Sequence, residues 1–403
     1  MTAPVSRLID TTLREGLQTP GVYLSLERKI EILAGLATAG VGEIEIGIAS
    51  GGGPGLRPEV AELAATGLQI TRALPGGVRL AVWCRARAAD LEAAAALDVD
   101  VVSVCLPVSG VHLRSRLRRP AGWAVDQVGA LAGLARRVGI RRLSLGLEDV
   151  TRADPALVAR VLRAASTAGV DRVRLADTLG LATPLAVAAL VTRCRRLFEG
   201  EVAVHAHNDL GMATANAVTA LACGATGVDV SLLGLGERAG IARLEEVAAC
   251  LLTAAGGGAG ADPDAGDLAR ITRLSRALAE WTGRPPGPDR PLLGEDIFVC
   301  ESGLHVDGLL KDPRSYQPYP PEMVGRRQEV RIGQHAGRGA VAAVLRRHGA
   351  LPVTDDRIAG TTAAVRSRAR LLGRPLTDDE VLSLAGSAPL AGGVPAPATG
   401  GLS

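Results

Sequence analysis

His205 and His207 stand one residue apart in Val202-Ala203-Val204-His205-Ala206-His207-Asn208-Asp209, and they are two of only six histidines in the chain. On a strand, residues two apart point to the same face, so both imidazoles can reach one metal ion. A His-x-His pair by itself fits a strand with no ligand role equally well. A second cluster decides between the two. Asp10-Thr11-Thr12-Leu13-Arg14-Glu15-Gly16-Leu17-Gln18 follows a short apolar run and puts acid, base and amide groups within one turn. One carboxylate from that turn with two imidazoles leaves coordination positions for substrate and water, as a catalytic metal requires.

Groups so far apart in sequence need a framework to bring them together. Short β-like runs occur at Arg7–Asp10, Glu43–Gly47, Arg79–Cys84, Val99–Leu106, Arg142–Leu147, Arg172–Ala176, Glu201–Ala206 and Gly227–Leu232. Between them lie segments with helical spacing, such as Leu26–Ala39, Ala88–Ala96, Trp123–Val138, Pro155–Ala168, Pro184–Phe198 and Ala213–Cys223. Pro155 follows Asp154 and Pro184 follows Thr183, an N-cap followed by a first-turn proline. Gly40, Gly139, Gly169 and Gly224 stand where helices end. Strands alternating with helices over roughly 250 residues predict an α/β chain folded as a (β/α)8 TIM barrel. An open doubly wound sheet is the rival.

Residues 1–255 are expected to form the barrel, 256–388 a mostly helical C-terminal lid and dimerisation region, and 389–403 a disordered tail. Thr253–Gly266 reads as a Gly/Ala linker; Leu268–Thr282, Arg338–His348 and Ile358–Leu372 read as helices.

With 47% apolar residues in 403, a large core is available, and 2% aromatics means that Ala, Val, Leu and Ile must build it. Lys29 and Lys311 are the only lysines, and the formal charge is +3. No basic stripe interleaves with aromatics, so nucleic acid is excluded as a partner. Cys84, Cys105, Cys194, Cys223, Cys250 and Cys300 form no CxxC pair, which suits reduced thiols in a cytoplasmic protein. No signal peptide and no membrane-spanning run are expected.

In a barrel the polar clusters gather just after the strands, on the C-terminal face where barrel active sites are built. Arg14 and Glu15 follow strand one, Glu45 lies in strand two and Arg85 follows strand three. Glu148 and Asp149 follow strand five, Asp177 and Thr178 strand six, and Gly236-Glu237-Arg238 strand eight. Each pair alone has a plainer explanation, helix capping for Glu148-Asp149 and a helix start for Asp177-Thr178.

Three motifs carry a resemblance: Asp10 to Gly16; His205-Ala206-His207-Asn208-Asp209-Leu210-Gly211 with Ala215-Asn216-Ala217; and Gly234-Leu235-Gly236-Glu237-Arg238-Ala239-Gly240. In this order they resemble the metal-dependent acyl-CoA condensing enzymes and lyases, which include isopropylmalate, homocitrate and citramalate synthases. Val82 to Arg87, Leu106 to Ser109 with His112-Leu113-Arg114, and Glu301 to Gly308 look most like the homocitrate synthases of nitrogen-fixing bacteria.

The resemblance implies that Glu15, His205 and His207 hold a divalent ion, with Mg, Mn, Zn and Co all open. It implies that acetyl-CoA is the co-substrate and a 2-oxo acid the acceptor, with 2-oxoglutarate first. Arg14 would stabilise the developing oxyanion, and Glu148 joins the catalytic group. Gln18, Glu45, Arg85 and Thr178 would contact the acid. His305 and Tyr316, eleven residues apart, match the pair that helps remove the acetyl methyl proton; a buried structural role is the alternative for His305. A homodimer is implied as well.

The chain also departs from these relatives. Ala239 and Ile241 stand where Asn is frequent, Cys300 where another His is frequent, and Gln334-His335-Ala336-Gly337 replaces Lys-His-Ser-Gly. These changes leave open the same chemistry on a branched, short or phosphono-substituted 2-oxo acid. A C–C lyase would need a cysteine in Gly234–Gly240, which has none, and a non-catalytic paralogue would not need the intact clusters. Leucine-type feedback is not expected, given the short stretch after Gly337.

Overall fold

Eight aliphatic segments form parallel strands that close into a barrel in chain order: β1 (Leu8–Asp10), β2 (Glu43–Ile48), β3 (Arg79–Arg85), β4 (Val101–Pro107), β5 (Leu143–Glu148), β6 (Arg172–Asp177), β7 (Glu201–Ala206) and β8 (Gly227–Val230). Closure is direct, with Leu8, Ile9 and Asp10 of β1 paired to Val228, Asp229 and Val230 of β8. The open doubly wound sheet is thereby excluded. The computed structural model describes residues 4–50, 58–255, 265–350 and 353–387.

The helices around the barrel are α1 (Leu26–Thr38), α2 (Pro58–Ala73), α3 (Ala88–Ala95), α4 (Ala121–Arg137), α5 (Pro155–Thr167), α6 (Pro184–Leu197), α7 (Ala213–Ala222) and α8 (Leu244–Ala255). Their starts follow the capping chemistry written in the sequence. Asp154 Oδ1 accepts the Ala156 N–H at 2.9 Å ahead of α5, and Thr183 Oγ1 accepts that of Ala186 at 3.3 Å ahead of α6. Gly40, Gly139, Gly169 and Gly224 all take positive φ after their helices.

The chain divides into two compact units, Met1–Leu293 and Gly294–Ser403. The first therefore runs past the boundary expected after residue 255, because α9 (Ala265–Thr282) packs on α1 and α8. In the second, β9 (Val299–Cys300) and β10 (Glu329–Val330) form a parallel pair beside α10 (Gly303–Lys311), α11 (Arg338–Arg347), α12 (Asp355–Leu372) and α13 (Asp378–Ser387). Val306, Ile332, Val341, Leu345, Ile358, Val365 and Val381 build its core. Most of the expected linker Thr253–Gly266, and all of the tail from Pro389, lie outside the described residues. Among the described residues no helix is long and apolar enough to cross a membrane.

Barrel interiors are normally filled by branched aliphatic side chains. This one holds charge. Arg172 donates from Nη1 and Nη2 to Glu43 at 2.8 and 2.6 Å and from Nε to Ser144 Oγ at 2.9 Å. Arg172 and Glu43 side chains are 3% and 0% exposed. Removing one partner of such a pair leaves an uncompensated buried charge. Arg172→Ala should therefore lower stability by about 3–5 kcal/mol, read as a shifted urea midpoint; an unchanged midpoint would show that the pair adds nothing to stability.

Candidate active site

The turn after β1 is built to present Arg14 and Glu15. Asp10 is fully buried and accepts hydrogen bonds from Thr12 N and Oγ1, both at 2.9 Å. Burial pushes its carboxyl up to about 7. With both oxygens engaged by Thr12, it shapes the turn. Thr12 Oγ1 in turn accepts the Leu232 N–H at 2.9 Å, fastening the turn to the segment after β8.

Glu15 is 3% exposed. Its Oε1 accepts the Glu237 N–H at 3.2 Å, and its Oε2 is held by Arg14 Nη1. Burial works against its charge, but the Arg14 guanidinium leads the opposing effects, and the carboxyl is held below its ordinary range. On β7, His205 Nδ1 donates to Asp229 Oδ2 of the adjacent β8 at 2.8 Å, which fixes the proton on Nδ1 and turns the Nε2 lone pair away from Asp229. The two Nε2 atoms of His205 and His207 lie 3.2 Å apart. Burial, with His205 close by, lowers His207 to about 3, so its ring is neutral at ordinary pH. Ligand atoms of Glu15, His205 and His207 all fall within 4.8 Å of one another, and among the described residues this is the group able to hold a metal ion. One carboxylate and two imidazoles, one of them oriented by a second carboxylate, fit a divalent cation with positions left for substrate.

Arg14 is fixed by two acids. Its Nε donates to Glu45 Oε2 at 2.6 Å, and its guanidinium lies 5.8 Å from the centre of the Trp83 ring. Glu45 Oε1 accepts from Arg174 Nη1 at 3.0 Å. Burial alone would raise Glu45, yet Arg14 and Arg174 hold it far below the usual carboxylate range. Glu45 is 0% exposed and does not line the cavity, contrary to the expectation that it touches the substrate. It orients the two arginines.

A cavity of about 680 Å³ opens over these groups, lined by Arg14, Glu15, His205 and His207 together with Gln18, Arg85, Glu148 and Thr178. Thr178 Oγ1 accepts the Asp149 N–H at 2.8 Å, leaving its own hydroxyl hydrogen available. Glu148 is gripped by both Nη atoms of Arg116 at 2.8 and 2.6 Å. Arg85 is half-exposed, and its fork is already paired with Asp90 at 2.6 and 3.1 Å. Its charge is thus largely answered within the protein. Asp177 accepts from Leu181 N, Ala182 N and Thr151 Oγ1, so it shapes the loop ahead of α6 and does not start that helix, which Thr183 caps.

The loop after β8 closes the site. A Cβ on Gly240, which has φ +80°, would fall 1.9 Å from Gly234 O, so only glycine fits there. Arg238 donates to Asp209 at 2.8 and 3.0 Å and to Thr178 O at 2.7 Å, tying three strand ends together. Ile241 is buried and bridges His207 through the backbone. Cys105 is the cysteine among the cavity-lining residues, and burial pushes its thiol up to about 11, which keeps it protonated.

In the second unit the His305 and Tyr316 rings are neighbours, with centroids 4.4 Å apart and planes at 40°. Both are exposed, which removes the buried structural alternative for His305. A Cβ on Gly308 would lie 2.5 Å from the Tyr316 ring, so this glycine makes room for the pair.

Sequence reading missed Arg174, Asp229 and Trp83. The available signal was charge alternating within aliphatic strands, Glu43 and Glu45 on β2 against Arg172 and Arg174 on β6, which strand period places on the inner face.

A closed parallel barrel with a carboxylate, two imidazoles and a clamped arginine at its C-terminal mouth defines a TIM-barrel protein with a metal-competent polar centre. The chain belongs to the HMGL-like family, which it matches over residues 6–277, and residues 292–371 match the homocitrate synthase post-HMGL domain-like family. It is 34% identical over 378 residues to the 2-isopropylmalate synthase 2 of Caldanaerobacter subterraneus subsp. tengcongensis, covering 94% of each chain. It is 37% identical over 343 residues to the homocitrate synthase of Frankia alni, covering 85% of this chain and 93% of that one. Among solved structures, hydroxymethylglutaryl-CoA lyase from Pseudomonas aeruginosa aligns with a TM-score of 0.56 at 25% identity, over 69% of this chain and 94% of that one.

Proposed function

We propose that this protein condenses acetyl-CoA with 2-oxoglutarate and water to give homocitrate and free CoA, as a homocitrate synthase of the nitrogen-fixation type. The observation that carries the reading is the Glu15–His205–His207 group beside a nearly buried, doubly clamped Arg14 in the lining of one cavity. A divalent cation held there supplies Lewis acidity to the ketone of the 2-oxo acid. Arg14 places a planar cation where the ketone oxygen gains negative charge as the new C–C bond forms. Thr178 and Gln18 offer hydrogen bonds to the acid, and Glu148, held by Arg116, sits on the same wall. The reading gives His305 and Tyr316 the proton leaving the acetyl methyl group. The methyl carbon bonds to the ketone carbon, the ketone oxygen is protonated, and water then cleaves the thioester to release the CoA thiol.

Two features favour a dianionic acceptor. The cavity lining carries six arginines (Arg14, Arg85, Arg87, Arg116, Arg119 and Arg174) against three glutamates (Glu15, Glu148 and Glu237). The second family match names homocitrate synthases. A lyase reaction is less well supported, because the loop Gly234–Gly240 after β8 contains no cysteine. The likeness to a 2-isopropylmalate synthase over nearly the whole chain favours, as second reading, the same reaction on a monocarboxylic 2-oxo acid. Residues 256–388 as lid and dimerisation region of a cytoplasmic homodimer complete the proposal, and sedimentation as a monomer would remove the dimer from it.

The test is a panel of 2-oxo acids incubated with acetyl-CoA, following free thiol. Release with 2-oxoglutarate well above that with pyruvate or 2-oxoisovalerate is expected. Preference for a monocarboxylic acid would leave only the general condensation, and no release with any acceptor would end the synthase reading.

A further inference from the structure

The cation best placed to read the far end of the acceptor is one that neither its motif nor its neighbourhood in sequence announces. Arg174 lies on β6, its side chain only 3% exposed, and it lines the same cavity as Arg14, Thr178, His205 and His207. Nη1 donates to Glu45 at 3.0 Å. Nε lies 3.3 Å from Asp229 Oδ2, but neither Nε nor Nη2 makes a hydrogen bond. Gly146, its register partner on β5, offers no side chain, and the space a Cβ would take there is filled by Cys105 Sγ at 2.6 Å. A buried cation with N–H donors lacking an acceptor is costly, more so than a neutral donor. An incoming carboxylate would satisfy them.

The other arginines of the cavity lining are differently placed. Arg14 is shared by Glu15 and Glu45, Arg85 is paired with Asp90 and Arg116 with Glu148. Arg87 and Arg119 are exposed, where water serves their donors. Among the arginines of this lining, Arg174 is therefore the one whose unpartnered donors are themselves buried away from water. It also stands close to the candidate metal centre, since Asp229 Oδ2 lies 2.8 Å from His205 Nδ1 and 3.3 Å from Arg174 Nε.

We infer that Arg174 binds the second carboxylate of a dicarboxylic 2-oxo acid and is the residue that selects such acceptors over monocarboxylic ones. The inference rests on the proposed condensation for the identity of the ligand. A pocket built to hydrogen-bond a substrate group rejects analogues lacking it, because its own buried polar groups are then left unpaired. Arg174 would exert selection in this way, while Glu45 and Asp229 hold it in position.

The experiment compares 2-oxoglutarate with its 5-methyl ester, which keeps the 2-oxo acid head and removes the terminal charge. Binding is measured by calorimetry on the full chain loaded with Mn²⁺, and thiol release with acetyl-CoA is followed separately. Wild type should bind the ester roughly a hundredfold more weakly than the acid, the scale of two charge-assisted hydrogen bonds lost. Arg174→Gln should shrink that ratio at least tenfold. Arg174→Lys, which retains the charge facing Glu45 and Asp229 and so protects the fold, should shrink it in the same direction. A ratio unchanged in both variants, or one abolished by Arg85→Ala instead, overturns the role of Arg174 and leaves the condensation standing. A wild type that does not distinguish acid from ester also overturns it. An intact, Arg174-dependent binding ratio without thiol release supports the carboxylate site and overturns the condensation alone.

Discussion

Replacing His207 with alanine should strip the protein of its divalent ion and reduce turnover by about 10³-fold or more. The magnitude follows from the several kcal/mol that a Lewis-acidic cation contributes to a developing negative charge, at about 1.4 kcal/mol per tenfold in rate. His207 and His205 bring their Nε2 atoms to 3.2 Å, and Glu15 closes the group within 4.8 Å, so losing one imidazole leaves two ligands. Elemental analysis of purified wild type should find about one ion per chain, and chelation should abolish thiol release until metal is restored. The ion that restores activity best identifies the native one. Asp229→Asn gives a graded companion: Asp229 orients His205 through Nδ1 at 2.8 Å, and loss of such a partner typically weakens metal binding about 10–100-fold. Full activity in a metal-free preparation would dispose of the site.

The framework that presents these ligands was legible because strand and helix signals were local. Strand β7 has the bounds expected, Glu201–Ala206, and the capped starts of α5 and α6 fall at Pro155 and Pro184. His205 and His207 were legible for the same reason, since period two alone puts them on one face. The pairing of buried charges was not. Glu43 meets Arg172, and Glu45 meets Arg174, across 129 residues of sequence in each case. Nothing in the neighbourhood of Glu45 distinguishes a carboxylate that touches a ligand from one that steadies two arginines. Arg85 misled in the opposite way. At the end of β3 it has the charge and position for a substrate carboxylate, but Asp90, five residues on, reaches back from the first turn of α3 to claim its fork. Exposed paired arginine and buried under-bonded arginine look alike in a sequence, and only the fold separates them. That separation is why acceptor selection moves from Arg85 at the mouth to Arg174 within the barrel.

Arg14→Lys should lower kcat by about 10²-fold or more, the scale for losing one well-placed oxyanion donor, while changing KM for the 2-oxo acid much less. Arg14 is nearly buried, with Nη1 held by Glu15, Nε held by Glu45 at 2.6 Å and the Trp83 ring 5.8 Å from its guanidinium carbon. Two acids on different edges of one planar group fix its orientation and leave its remaining N–H bonds for the cavity that it lines. Lysine keeps the positive charge, so Glu45 stays compensated and the fold should survive. A single ammonium cannot reproduce a rigid fork, and it cannot bond Glu15 and Glu45 while also facing a third oxygen in a defined direction. The loss then falls on the state in which that third oxygen becomes negative, which is the transition state rather than the bound ketone. Saturation kinetics with acetyl-CoA in excess separate the two cases. An unchanged kcat with a raised KM would make Arg14 a group that holds the substrate, and the charge developing on the ketone oxygen would have to be met by the metal centre alone.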